Sequence, residues 1–404
     1  MSPLVCATLI VLLEGLCVAS LFPVTHAYCA EFGGSVLATG IMFALVSFPK
    51  VLLNPFWGHV ADRIGRRPVL VMITLGTLAG SIGWAVSRDL WWLAASRLIV
   101  GVFGAQAVLA YAIAADTAAP ERRAASMGML GAGFGVALTL GPVVGGIVGA
   151  RVSNAAVGWM GGGFQAISLL VILTRLRETR PAPDARAAEP SAADRFGWSS
   201  TRSLLVAPGV ALLLAVTFIM TVGFSILTTS LGEFTRDAFQ FTTEGTGYAF
   251  AIVGIVTALT QGGATRPVVS ALGEAGASRL GLALLAAGFA ILAFRPALAW
   301  FLVGLAVLSV GGGFVVPALT AMLSRCVGPE RQGGVHGVNQ AVTGLGRALG
   351  FGLGGILFRA FGAATPFATA AGLSATAALL LAAAPRTLSA RAARSANCDE
   401  RRMN

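Results

Sequence analysis

Apolar runs of about twenty residues recur along this 404-residue chain, and each is long enough to form a helix that crosses a bilayer. Only 11% of the residues are charged, which is less than half the share found in a soluble domain. That composition excludes an ordinary soluble enzyme. The runs also lack the alternation of apolar and polar residues that the strands of a membrane barrel require. We therefore predict an all-α polytopic membrane protein.

The runs predict twelve transmembrane helices. They lie at roughly 4–24, 35–57, 68–86, 91–115, 126–149, 155–174, 204–227, 246–265, 277–294, 297–323, 334–357 and 363–385. We expect 2–24 to be retained as a span rather than cleaved as a signal peptide, because no basic segment precedes it. The predicted domains are an N-terminal six-helix bundle, a cytoplasmic linker, a C-terminal six-helix bundle and a cytoplasmic tail, at 1–174, 175–203, 204–385 and 386–404.

The arginines predict the orientation of the chain. Twenty of them fall in the tail and in one set of loops, and only five fall in the opposite loops. Basic residues accumulate on the cytoplasmic side of membrane proteins. Both termini are therefore expected in the cytoplasm, with the chain in the cytoplasmic (inner) membrane.

An internal repeat relates the two predicted bundles. A Pro-Glu-Arg triplet, a later glycine and a Gly-x-x-x-Gly-Gly pattern recur with an offset of 209 residues: Pro120–Arg122 and Pro329–Arg331, Gly128 and Gly337, Gly141–Gly146 and Gly350–Gly355. Such a parallel repeat indicates two six-helix pseudo-repeats and is typical of transporters with a site between their halves.

The loop between spans 2 and 3 carries a specific motif, Gly58-x-x-x-Asp62-Arg63-x-Gly65-Arg66-Arg67. Glycines permit a tight turn close to neighbouring helices, and Asp62 can pair with an arginine. The motif resembles the GxxxDRxGRR signature of the major facilitator superfamily. That resemblance implies a gating latch of Asp62, Arg66 and Asp116 on the cytoplasmic side. The alternative is three solvated surface charges. A second-half counterpart, around Gly273 and Glu274, is badly degenerate.

The fifth span resembles the antiporter signature of proton-coupled drug exporters, through Gly128, Gly141, Pro142, Gly145 and Gly146. Where that signature has a further glycine, this chain has Ala137. An ordinary glycine-rich helix interface is the alternative interpretation. Together with Arg97, Gly104, Tyr111 and the Glu14–Pro23 spacing, the motif makes the first half similar to tetracycline-efflux-type antiporters of twelve helices. The resemblance implies two bundles that rock around a central cavity.

Glu14 lies at the centre of the first span and is the only acid placed deep in any predicted span. Because an ionised carboxylate at that depth costs several kcal/mol, it tends to be protonated or paired. We predict that Glu14 is the proton-coupling carboxylate, with Arg97 of span 4 as a second coupling residue. The alternative for Glu14 is a structural partner of a basic residue. Lys50, the only lysine, lies at a similar depth and can reach it.

Lys50, Asn54 and Arg347 are the predicted substrate-binding residues. With Glu14 and Arg97 they leave the spans with a net positive charge, so a substrate with an anionic or zwitterionic group is expected. Asn54 can equally make an interhelical hydrogen bond. Arg97 and Arg347 can alternatively bind backbone carbonyls.

These features predict a secondary active transporter, and not an enzyme. The chain lacks a P-loop, a nucleophile motif and a metal-ligand motif, so no cofactor and no metal are expected. We expect export of small amphipathic compounds, drug-like or tetracycline-like, in exchange for protons. The expected partners are the substrate, protons and the lipid bilayer, without nucleic acid, and the chain is expected to be a monomer. The alternatives are an exporter or importer of one metabolite, such as a sugar, siderophore or biosynthetic product, and a non-transporting membrane sensor or scaffold.

Overall fold

The computed structural model describes residues 1–118, 123–179, 208–294, 297–327 and 332–383. Throughout these ranges the regular secondary structure is helical, which confirms the all-α prediction. The Pro-Glu-Arg triplets, most of the predicted linker and the predicted tail lie outside the described residues.

Eight helices lie in the described residues of the first half of the chain. They are α1 (Pro3–Ala19), α2 (Val24–Glu31), α3 (Val36–Ile64), α4 (Arg66–Ala85), α5 (Leu90–Phe103), α6 (Gln106–Thr117), α7 (Arg123–Arg151) and α8 (Asn154–Thr174). Several begin at side-chain caps: Asp89 Oδ1 accepts from the Trp92 amide at 2.7 Å, and Ser153 Oγ accepts from the Ala156 amide at 3.1 Å. Such caps satisfy amides that the first turn of a helix leaves free.

The second half, as far as the structure describes it, contains six α-helices and one π-helical turn. They are α9 (Pro208–Phe239), α10 (Thr243–Leu259), the π-turn (Thr260–Ala264), α11 (Thr265–Ala293), α12 (Leu298–Arg325), α13 (Gln332–Phe361) and α14 (Thr365–Ala383). The run from Thr243 to Ala293 contains two predicted spans, because Gly273 interrupts it with a φ of 69°. With that division, and with α1 and α2 counted as one span bent by 46°, the apolar helices agree with the predicted twelve.

Several spans differ from their predicted form. The second was predicted to end at 57, but α3 continues to Ile64. The first is broken at 20–23 and continues as α2 to Glu31. The fourth is broken at Gly104 and Ala105, where the backbone leaves the helical region. The seventh was predicted to end at 227, but α9 continues to Phe239. Glu233, which the prediction placed in a loop, is therefore helical. Polar residues ended the predicted first and seventh spans too early, because packing against neighbouring helices sustains a helix past its apolar stretch.

The described residues form two compact units. The first comprises the described parts of Met1–Glu189 with Ile226–Gly254 and Phe351–Ala363. One apolar core of this unit joins α1, α3, α4, α6, α7 and α8 through residues such as Ile10, Leu70, Leu109 and Ile113. The second unit contains Ile255–Gly350 and the described remainder, in which α11 packs against α12 and α14. The boundaries of the predicted domains stay a prediction.

Candidate functional site

Glu14 and Lys50 form an ion pair inside the first unit. Lys50 Nζ lies 3.2 Å from Glu14 Oε1, and the Glu14 side chain is only 9% exposed. The pair joins the middle of α1 to the middle of α3. A buried charge is stable where an opposite charge compensates it, so each residue supplies what the other needs. This is the pairing that the similar depths of the two residues allowed.

A gap at Gly104 gives Lys50 its path to Glu14. A Cβ built at Gly104 would overlap Lys50 Cε and lie 2.8 Å from Lys50 Nζ. One turn earlier, Gly101 lets α5 approach the α3 backbone, where a Cβ would lie 3.0 Å from the Val46 carbonyl oxygen. Any larger residue at these positions would displace α3 or its lysine. Gly101 and Gly104 therefore place the cation beside Glu14.

The break at Gly104 is stabilised by polar side chains. Trp57 of α3 donates its Nε1–H to the Val102 carbonyl at 2.7 Å, an acceptor close to the interrupted helix. Gln106, the first residue of α6, donates from Nε2 to Thr74 Oγ1 and to Gln165 Oε1, both at 2.8 Å. Gln106 is fully buried. These bonds fix the geometry of the break and hence the gap that Lys50 occupies.

Arg97 lies apart from Glu14. Its guanidinium centre is 4.5 Å from the ring centroid of Trp84, and Nη2 donates to the Gly80 carbonyl at 3.3 Å. The side chain is 4% exposed. Cation–π attraction and a carbonyl acceptor compensate its charge. The contacts found for Arg97 are those of a residue that joins α4 to α5, and its part in proton coupling stays a prediction.

Asn54 and Arg347, the other predicted substrate contacts, occupy different surroundings. Asn54 lies one helical turn after Lys50 on α3 and is half-buried, so both side chains project from the same face. Arg347 belongs to α13 in the second unit, and its side chain is accessible. Within the ranges that the structure describes, no hydrogen bond or ion pair is found for either side chain. Their substrate contacts stay predictions.

The three predicted latch residues come together. Arg66 lies between two carboxylates, with Nη1 2.7 Å from Asp62 Oδ1 and Nε 3.1 Å from Asp116 Oδ2. Asp62 lies in the last turn of α3, Arg66 begins α4, and Asp116 lies in the last turn of α6. The three charges therefore tie three helix ends together. We call this end of the first unit the signature end.

Glu178 completes the latch, although no pattern in the sequence predicted it. Its carboxylate accepts from the Arg66 amide at 2.9 Å and from the Arg67 amide at 3.1 Å, which caps the N-terminus of α4. Arg67 in turn donates from Nη2 to the Leu173 carbonyl at 2.7 Å. Gly65 has a φ of 109°, and a Cβ there would lie 2.6 Å from Glu178 Oε2. The predicted need for glycine is thus met at Gly65, whereas a Cβ at Gly58 would meet nothing within 4 Å.

The second unit contains a counterpart of the latch with its charges exchanged. Arg325 Nη2 lies 2.9 Å from Glu274 Oε1. Arg325 is offset by 209 residues from Asp116, and Glu274 by 208 from Arg66. Burial in this turn between two spans raises the pKa of the Glu274 carboxyl, and Arg325 opposes the shift. The motif that looked degenerate in the sequence therefore retains its geometry.

Two further features of the turn also recur. Gly273 follows Gly65 in adopting a positive φ. Arg279 donates to the Leu381 carbonyl from Nε at 3.3 Å and from Nη2 at 3.2 Å, as Arg67 does from Nε to the Ile172 carbonyl at 3.3 Å. Leu381 and Ile172 are again offset by 209 residues. A sequence search for the same residue types could not reveal this repeat, because the contacts are kept while the acidic and basic residues exchange positions.

The antiporter motif presents glycines to two different helices. Toward α1, a Cβ at Gly141 would lie 2.7 Å from Ala19 Cβ, and one at Gly145 would overlap the backbone of Ser20. Toward α10, a Cβ at Gly146 would lie 3.0 Å from Gly247 Cα. Pro142 contributes its carbonyl, which a Cβ at Gly247 would approach to 2.6 Å. The motif therefore forms close helix contacts, as its alternative interpretation expects.

Two positions of the motif behave differently. Gly128 has open space where a Cβ would be, so it makes no close contact. Ala137, the departure from the family pattern, faces Gly15 of α1, where a Cβ would lie 2.6 Å from Ala137 Cβ. The glycine missing from α7 is thus compensated by one on α1.

Comparison with known proteins gives concordant results. A family model described as Major Facilitator Superfamily matches residues 7–279 and 277–397. The class C tetracycline resistance protein of Escherichia coli is 34% identical over 311 residues, which cover 76% of each chain. Major facilitator superfamily domain-containing protein 10 of Homo sapiens is 30% identical over 366 residues, covering 84% of this chain and 77% of that protein.

Two solved structures are similar in fold. The human organic anion transporter MFSD10 (TETRAN) aligns with a TM-score of 0.69 and 27% identity, covering 94% of this chain and 98% of that one. The nucleoside transporter NupG aligns with a TM-score of 0.75 over 95% of this chain and 99% of that one. Its 14% identity shows a common fold and nothing finer.

Proposed function

The chain belongs to the major facilitator superfamily, and from that premise we propose that it exports small amphipathic compounds in exchange for protons. It is a multi-pass membrane transporter and not an enzyme. The proposal adds the direction, the coupling ion and the substrate class. The tetracycline resistance proteins among its relatives support drug efflux.

The Glu14–Lys50 pair is the observation that carries the proposal. A substrate with both a hydrogen-bond donor and an anionic acceptor can insert between the two side chains. Its donor then replaces Lys50 at Glu14, and its acceptor replaces Glu14 at Lys50. A proton on Glu14 neutralises the carboxylate and turns one of its oxygens into a donor, which weakens the acceptor that such a substrate donor needs. Proton and substrate therefore compete, and this competition is what exchange requires.

In the proposed transport cycle, the latch stabilises one of the two conformations between which the protein alternates. The excess of arginine in the loops at the signature end supports a cytoplasmic location for that end, with both termini on the same side and the chain in the inner membrane. Asp62, Arg66 and Asp116 would hold the cytoplasmic helix ends together when the protein faces outward. Their effect on that equilibrium can be no larger than their differential interaction energy in the two states.

A second candidate is proton-coupled transport of an organic anion. Lys50 is the observation that favours it, together with the human organic anion transporter among the similar structures. A substrate with only an anionic group would take Lys50 away from Glu14. The lone carboxylate would then bind a proton more readily, so that proton and substrate would move together. The two candidates thus predict opposite proton movements on binding.

Proton release on binding distinguishes them. Tetracycline is added to the purified protein in weakly buffered detergent, and the pH is followed with a dye. At a pH acid enough that part of the molecules carry a proton on Glu14, exchange predicts a release of protons on binding, which Glu14→Gln abolishes. Asp89→Asn is the matched control, because asparagine retains the cap on α5 and that exposed residue lies outside the pair; it should release protons as the unchanged chain does. Uptake, or release that persists in Glu14→Gln, would contradict the proposal.

A further inference from the structure

The side chains of His26 and Glu233 form a pair that neither the proton site nor the latch includes. His26 lies on α2 and Glu233 on α9, and His26 Nε2 faces the Glu233 carboxylate. The other ring nitrogen, Nδ1, lies 3.3 Å from Thr39 Oγ1 of α3. His26 is 6% exposed. The imidazole is therefore held from two sides, and one of its partners is an acid from the second half of the chain.

The pair lies at the end of the first unit opposite the signature end, because α3 leads from Thr39 down to the signature. Two cavities of about 420 and 350 Å³ flank it there, and both are lined by His26, Ala30 and Arg236. Glu233 of α9 contacts the imidazole, and the other charged residues that line these cavities are Arg236 of α9, Glu31 of α2 and Arg359 of α13. Water can thus reach the pair, as exchange of a proton requires.

The same end holds other contacts between first-half helices and Ile226–Gly254. Arg151 of α7 makes a two-point ion pair with Glu244 of α10, at 2.9 and 3.2 Å. Gly146 and Gly247 bring the same two helices together. Arginine keeps its charge at all physiological pH values, and glycines do not titrate. His26 alone among these contacts is of a type that ordinarily changes charge between pH 5 and 8.

We propose that the His26–Glu233 pair is a second proton-binding site, whose occupancy determines how firmly Ile226–Gly254 is held against α2 and α3. The protonated imidazole and the carboxylate attract as opposite charges. Loss of the proton leaves a neutral imidazole, which can still donate one hydrogen bond to the carboxylate but no longer attracts it as an opposite charge. Acid at this end therefore favours the packed arrangement, and a rise in pH favours its opening. The inference goes beyond the proposed exchange of drug for proton and does not depend on it.

The test measures a distance across this end as a function of pH. Val152, 72% exposed, and Ala238, also exposed, are changed to cysteine and spin-labelled in the full chain. Cys326, which is exposed, and Cys398 of the tail are changed to serine, and the protein is placed in lipid nanodiscs. We expect a longer distance to gain population about fivefold between pH 5.5 and 8, the ratio equivalent to the roughly 1 kcal/mol that the attraction between opposite charges contributes in a partly exposed pair. His26→Gln should remove that pH dependence.

Two further variants make the result decisive. His336→Gln is the matched control, because His336 is the half-buried histidine of α13 and bonds only to Ser324 at 3.0 Å among the described residues; it should keep the fivefold change. Glu233→Gln should abolish the change, and it serves in place of His26→Gln if that variant does not fold. A pH dependence that survives in Glu233→Gln, or one that His336→Gln removes, would overturn the proposal.

Discussion

Asp116 and Arg325 lie at the ends of equivalent helices in the two halves of the chain, 209 residues apart, and carry opposite charges. Each pairs with a residue of the opposite sign just after a glycine of positive φ, Arg66 in one case and Glu274 in the other. The two halves therefore share an ion pair at this place, but the acidic and basic residues have exchanged positions. What the two halves share is the sign of the interaction and not the residue type.

Exchanging the charges of Glu274 and Arg325 in one variant should restore the thermal stability that either single substitution removes. Glu274→Arg and Arg325→Glu should each lower thermal stability, because each places like charges together. The double variant should recover most of the loss. The coupling energy should be about 0.5–1 kcal/mol, since Arg325 is half exposed and water screens the pair. A thermal-unfolding cycle of the four proteins measures it, and additive effects would contradict the pairing.

Gly65→Ala should destabilise the turn far more than Gly58→Ala. At Gly65 the backbone is left-handed and the Glu178 carboxylate occupies the place of a Cβ, whereas Gly58 has open space. We expect a loss of about 1–3 kcal/mol at Gly65. At Gly58 alanine should be neutral or slightly stabilising, because it improves helix propensity. Thermal unfolding in one detergent compares them, and equal shifts would refute the assignment.

Lys50→Gln should selectively weaken the binding of substrates that carry an anionic group. The loss of binding free energy should be about 1.5–3 kcal/mol, the usual contribution of a charged hydrogen bond. Binding is measured by titration with an anionic or zwitterionic compound and with a neutral analogue of similar size. Gly104→Ala should act in the same direction, because its Cβ would occupy the place of the lysine stem. An equal loss for both compounds would mean that Lys50 only neutralises Glu14.

Gly146→Val should loosen α7 from α10. A branched side chain there would meet the Thr243 carbonyl and Gly247, and such overpacking costs about 1–3 kcal/mol. The spin-label distance between positions 152 and 238 should therefore lengthen at every pH. Gly135→Val, on the same helix with open space around it, is the matched control and should leave the distance unchanged. A longer distance in that control would show that valine disturbs α7 wherever it is placed.

The sequence predicted the features that depend on composition and local motif. Span number follows from apolar length, and the latch follows from a motif whose residues are close in the sequence or implied by resemblance. Glu178 could not be predicted, because it caps α4 only after α8 has folded back beside it. His26 and Glu233 were missed for a related reason. A histidine and an acid separated by more than 200 residues have no shared pattern until the helices place them together.

The break at Gly104 was also hidden, since hydropathy continues across it without interruption. Its cause lies in tertiary structure: Trp57 and Gln106 stabilise the interruption from neighbouring helices.

Because the Lys50 side chain occupies the gap beside Gly104, the residues at positions 50 and 104 should evolve together. A descendant of this protein that gained an alanine at 104 would lose the reach of its lysine while the lysine itself remained in the gene. Selection to keep the Lys50 ammonium beside Glu14 would therefore also act on Gly104. Homologues that keep the Glu14–Lys50 ion pair should therefore keep glycine at position 104. Position 104 should vary only in homologues that have lost the lysine at position 50.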